Sequence, residues 1–161
     1  MDWPMEKTLL DMIRLLEGVN EPGQKGADHR EMAVLIGSLS WVKEFGTIAL
    51  RGPRRSGHTY AVRVAAKVLM GMGKFVVTLV GTNIVMRDRE VLWEGCGPIA
   101  AMGCERPSSR LTSLVVVESK QPDFVFVDDA SRLNDVERLD TEQFVARFVT
   151  KDHPCYLVLV G

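Results

Sequence analysis

Cysteine is scarce in this chain and poorly spaced for cross-linking. Cys96, Cys104 and Cys155 make neither a C-x-x-C pair nor a set with zinc-ligand spacing, which argues against a disulfide framework and a structural zinc centre. Widely separated thiols, odd in number, fit reduced packing residues in a cytosolic setting. A charge excess is also missing, since 20 Lys and Arg against 21 Asp and Glu leave a net charge of −1. That total removes the global signature of a polyanion-binding domain but leaves room for a local one. Basic residues do gather, in "RGPRR" and at Arg87 and Arg89. No apolar run approaches the roughly 20 residues of a membrane span. The acidic, amphipathic opening "MDWPMEKTLL" is unlike a secretory leader. Repeats and low-complexity tracts are absent as well. The expectation is a cytoplasmic globular protein with no membrane contact.

What is present reads as an alternation of strands and helices. With 161 residues, 46% of them apolar, the chain has enough material for one domain with a substantial core. Residues 5–17 carry Leu9, Met12, Ile13 and Leu16 at helical spacing. A second helix is predicted from Asp28, a suitable N-cap, to Phe45, with Gly46 closing it. Strands are predicted at "TIALR", "FVVTLV", "LTSLVVVES", "DFVFVDD" and "CYLVLVG". Helices are predicted at Thr59–Leu69, "NIVMRDREVLWEG" and "DTEQFVARFVTKD", while "GCGPIAAMGCERPSS" reads as irregular. The implied fold is α/β, a parallel sheet with right-handed crossovers and two N-terminal helices. Residues 1–46 form a helical segment packed on a core of residues 47–161. Gly161 ends the chain at the tip of an apolar strand, so the expectation is an N-terminal piece of something longer.

Between the first strand and the next helix lies "RGPRRSGHTY". The spacing Gly52-x-x-x-x-Gly57 followed by Thr59 is that of a phosphate-binding loop. A strand, a tight turn and a helix N-terminus make an anion site, because the first helical N–H groups lack intrahelical partners and the macrodipole adds partial positive charge. Glycines let the main chain wrap around phosphate oxygens without a Cβ in the way. The cradle comprises Gly52, Pro53, Arg54, Arg55, Ser56, Gly57, His58, Thr59 and Tyr60, with the Thr59 hydroxyl directed to Mg²⁺. Position 58 holds histidine where such a loop has lysine. An imidazole in water, with a pKa of about 6.5, is mostly uncharged near neutrality and reaches less far. Arg54 and Arg55 bring permanent charge into the same loop and partly compensate.

The partner motif is "DFVFVDDAS". Its apolar residues carry a strand through the core and deliver Asp128 and Asp129 to the carboxyl edge, where ligands bind in open α/β sheets. Asp128 is expected to bind Mg²⁺ through water, and Asp129 stands where an acid orients an attacking water. The plainer alternative is an Asp pair that opens a turn or caps a helix. Loop and carboxylates together imply Mg²⁺ with ATP or GTP. The absence of a guanine-reading NKxD sequence favours ATP, with Trp41 or Phe45 as candidates to cover the base.

"GPRRSGHT" resembles the phosphate loop of the large-subunit ATPases of phage DNA-packaging terminases, within the RecA-like class of P-loop motors. That loop commonly reads glycine, any residue, two arginines, serine, glycine, lysine, threonine. "KFVVTLVGTNIVMRDREVL", "DFVFVDDAS" and "CYLVLVG" resemble the elements that follow it, in the same order. The resemblance covers about residues 47–161, and helicases share most of it. It implies a RecA-like sandwich, an ATPase in the host-cell cytoplasm, double-stranded DNA as a partner, and self-association into a motor. It also implies γ-phosphate sensing by Arg54 and Mg²⁺ binding by Thr59 and Asp128. Arg87, Arg89 and Arg110 are candidates for an arginine supplied to a neighbouring subunit. His58 and Asp129 depart from the pattern. The rival is a non-catalytic relative that holds a nucleotide or anion without turnover. A small-molecule kinase is a weaker third reading, because the chain has no arginine-rich lid segment.

Overall fold

Apolar runs bounded by glycine, proline or acidic residues become the strands of a single sheet. They are β1 (Thr47–Leu50), β2 (Val76–Val80), β3 (Ile99–Ala101), β4 (Phe124–Asp128) and β5 (Tyr156–Val160). The structure is a computed structural model that describes residues 5–19, 29–52, 57–81, 92–103, 105–150 and 153–161. Every pairing is parallel, in the order β1-β5-β4-β2-β3. β2, β4 and β5 are buried at every position, as continuous apolar strands covered on both faces should be. The edge strands β1 and β3 are buried only in part.

Among the described residues six helices surround the sheet. Three precede β1: α1 (Met5–Val19), α2 (His29–Ile36) and α3 (Ser38–Glu44). α4 (His58–Gly71) follows β1, α5 (Pro107–Glu118) joins β3 to β4, and α6 (Asp135–Ala146) joins β4 to β5 after a 3₁₀ turn at Ala130–Arg132. α1 lies against α4 and β1, while α5 and α6 pack together and α6 also carries α3. The helices thus form two layers, one on each face. Leu9 and Ile13 of α1, Trp41 and Val42 of α3, and Ala61, Val62, Ala65 and Ala66 of α4 close the core over β2, β4 and β5. None of the described helices is long and apolar enough to cross a membrane.

Three expectations from the sequence are corrected. The single helix predicted over residues 28–45 is two, because Gly37 at φ 90° breaks it, so three helices and not two precede β1. The run "LTSLVVVES" is helical up to Glu118, the end of α5, despite its β-branched content. Pro107 starts that helix at a position where a missing N–H costs nothing. The Asp140 carboxylate accepts from the Ser108 N–H and hydroxyl, both at 2.8 Å, and so binds the first turn to α6. Third, the stretch expected to be irregular contains β3, which pairs with β2 from Thr78↔Ile99 to Val80↔Ala101. The helix expected at "NIVMRDREVLWEG" lies largely outside the described residues.

Candidate functional site

The carboxyl ends of β1, β5 and β4 lie side by side, and the residues that follow them meet. Gly57 takes a left-handed conformation (φ 85°, ψ 19°) open to glycine at little cost and caps α4, which begins at His58. From the first turn of α4 the Thr59 hydroxyl donates to Asp128 Oδ1 at 3.3 Å. His58 Nε2 lies 3.6 Å from the same oxygen. The loop helix and the acidic strand, 69 residues apart in sequence, therefore converge on one carboxylate.

Asp128 is buried, its side chain only 5% exposed. Burial pushes its pKa above the ordinary carboxylate value. The Thr59 hydrogen bond, the His58 ring and the Asp129 N–H pull the other way, while the charge of the Asp129 carboxylate adds to the rise. A buried acid whose charge is under-compensated, beside a hydroxyl, is a pair of hard oxygen donors suited to a magnesium ion. No cluster of three or more His, Cys, Asp or Glu side chains that could hold a metal by itself occurs among the described residues. A nucleotide-borne Mg²⁺, with ligands from phosphate and water, does not require one.

Asp129 adopts a left-handed backbone (φ 65°, ψ 45°). Its Oδ2 is 2.7 Å from Arg132 Nε. Two glycines make room around this pair. A Cβ at Gly81, just after β2, would lie 3.1 Å from Asp129 Oδ2; one at Gly161, just after β5, would lie 3.2 Å from the His58 ring and 3.3 Å from the Asp129 Cα. β5 and β2 flank β4 in the sheet, so Leu-Val-Gly strand ends stand on both sides of the aspartate pair. Those glycines and Arg132 are residues that motif reading missed. The repeated "LVG" at 79–81 and 159–161 was the available signal.

Of the other expected site residues, Pro53, Arg54, Arg55 and Ser56 lie outside the described residues, as do Arg87 and Arg89. Gly52 lies on the carboxyl rim after β1, next to the cleft described below. Tyr60 is exposed, with the Arg63 guanidinium 6.0 Å from its ring centroid, and makes no described contact with the aspartates. Arg110 is folded against Gly103 beyond β3, at the far edge of the sheet. The two candidates for covering a base are corrected. Trp41 is fully buried and packs on Tyr156 with ring centroids 5.8 Å apart, and Phe45 sits at the start of β1, on the opposite rim.

Beside the aspartates, across Gly161, lies a cleft of about 410 Å³. Leu50, Arg51 and Gly52 wall it on the β1 side, and Ser131, Leu133 and Arg138 on the α6 side. No protein-family model, curated protein or solved structure gives a significant match to the chain.

Proposed function

We propose that the chain is a Mg²⁺-ATP-binding P-loop NTPase domain of RecA-like architecture, resembling the motor domain of a phage packaging terminase, with hydrolysis weakened by His58. The observation that carries this reading is the 3.3 Å contact between Thr59 and Asp128, at a glycine-capped helix start on the carboxyl rim of a parallel sheet. Thr59 and Asp128 would hold the metal, and the first-turn amides of α4 would face the phosphates. Mg²⁺, when bound, offsets negative charge on the phosphoryl oxygens. Arg54 takes its γ-phosphate-sensing role from the resemblance alone, and Arg55 adds a second permanent charge to the same loop. Double-stranded DNA and neighbouring subunits are the partners of the same reading.

A second reading, a nucleotide-binding or assembly module without turnover, has its own support. The acid in the water-orienting position is engaged by Arg132, and His58 offers no lysine ammonium to the phosphates. Both readings predict a folded-state ligand. The test is thermal unfolding with millimolar Mg²⁺-ATP, which should raise stability by about 2.7 kcal/mol at a hundredfold excess over Kd. An unchanged melting curve across that range defeats both. Stimulation of turnover by DNA separates the motor from the silent module.

A further inference from the structure

With Trp41 in the core and Phe45 on the opposite rim, the nucleoside half of the ligand has no aromatic partner among the residues first expected to supply one. The cleft beside Gly161 is the space open to that half next to Gly52 and His58. Gly161 forms part of its wall, and the same residue lies close to the His58 ring. Gly52, where β1 gives way to the loop, lines it too. Cleft and phosphate site are therefore neighbours separated by one glycine, at the carboxyl rim where ligands enter open α/β sheets.

The lining narrows the chemistry. Leu50, Leu133 and Leu159 supply apolar walls, and Arg51 and Arg138 supply two guanidinium groups. Neither has a side-chain hydrogen bond or ion pair among the described residues. A flat cation beside aliphatic walls suits a heteroaromatic ring, because guanidinium groups stack on π-faces and aliphatic side chains contact ring edges. Asp135, also in the lining, is a hydrogen-bond acceptor that would repel a phosphate but welcome ribose hydroxyls or an exocyclic amine. A volume of about 410 Å³ lies within the range of small-ligand pockets.

We propose that this cleft binds the base and ribose of the nucleotide, with Arg138 and Leu133 as the residues that recognise the ring. The inference rests on the nucleotide reading above and deepens it. Its test compares inorganic tripolyphosphate with ATP and GTP, each with Mg²⁺, by calorimetry on the full chain. At least one nucleotide should bind about tenfold or more tighter than tripolyphosphate, the excess being the nucleoside's contribution. Arg138→Ala, on the surface of α6, should shrink that ratio severalfold. Leu133→Trp, which fills the cleft, should do the same, and the Arg138 variant keeps the test decisive if the tryptophan impairs folding. Tripolyphosphate binding as tightly as both nucleotides, or variants that weaken all three ligands in parallel, would overturn the cleft while leaving the phosphate site standing. Failure of all three ligands to bind overturns the nucleotide reading itself.

Discussion

Asp123 and Asp128 bracket strand β4, one at each rim of the sheet. At the amino rim the Asp123 carboxylate is fully engaged. Oδ2 accepts from the Phe75 N–H at 2.8 Å and Oδ1 faces His153 Nε2 at 2.9 Å. The other nitrogen of His153 lies 3.1 Å from the Phe148 carbonyl. The backbone adds to the tie, with Asp123 N donating to the Phe75 carbonyl and Tyr156 N to the Asp123 carbonyl. Asp123 thus joins the starts of β2, β4 and β5. At the carboxyl rim Asp128 is more deeply buried, 5% against 26% for the side chains, yet its hydrogen bonds, a long one from the Thr59 hydroxyl and one from the Asp129 N–H, do not offset the cost of that burial. One acid is consumed by architecture. The other keeps an under-compensated charge, as a group reserved for a ligand does.

Truncating the two aspartates should separate these roles most sharply. Asp128→Ala is expected to lower ATP turnover at least about 100-fold, the scale of losing a principal electrostatic element, and to remove the Mg²⁺ dependence of ATP binding. It should do so without loss of stability. Asp123→Ala should do the reverse. Leaving the Phe75 N–H unpaired costs about 1–3 kcal/mol, read as a lower urea midpoint at unchanged slope, with nucleotide affinity retained. If Asp123→Ala lowers ATP affinity and Asp128→Ala unfolds the chain, the contrast drawn between the rims is wrong.

The next effect concerns the histidine beside Asp128. His58→Lys places a permanent cation at the proposed phosphate site, and a charge-assisted contact is worth about 1.5–3 kcal/mol. Steady-state turnover should rise roughly 10- to 100-fold if that contact is made in the transition state. Tighter ATP binding with turnover still at background would instead favour the module without catalysis.

How far the sequence led depended on whether the deciding contacts were local. β2, β4 and β5 were legible because uninterrupted apolar runs such as "FVFV" fit a sheet covered on both faces. That Thr59 and Asp128 come together was legible because glycine spacing and an acid-tipped strand each place a residue at the carboxyl rim. α5 was not. Its valines favour a strand on propensity, but Leu111 is buried while Val117 is 80% exposed, a helical pattern set by Pro107 and by Asp140, distant in sequence on the adjoining helix α6. β3 is three residues long and owes its existence to the edge of β2. Trp41 had two readings in sequence, base cover or core, and only the packing of Tyr156 and Gly46 around its ring chose between them; a Cβ on Gly46 would lie 2.6 Å from the Trp41 ring.

The smallest effect follows from the raised pKa of Asp128. A carboxyl whose pKa is higher in the folded state binds its proton more tightly there than in the unfolded chain. Over the interval between the unfolded and folded values the native state carries more protons, so stability falls as pH rises through it and stays lower above it. Above that interval the ionised Asp128 is therefore a net burden on the ligand-free fold. Asp128→Asn keeps the shape and an acceptor for Thr59 but removes the charge. It should raise the melting temperature of the ligand-free protein by a few degrees at pH 7, with the gain shrinking as the pH is lowered into the ordinary carboxyl range. Asp123→Asn should show no such gain, because the carboxylate it replaces is already paired on both oxygens. Equal melting temperatures for wild type and Asp128→Asn across that pH range would mean that the Asp128 charge is already compensated, and the distinction between the two rims would lose its electrostatic basis.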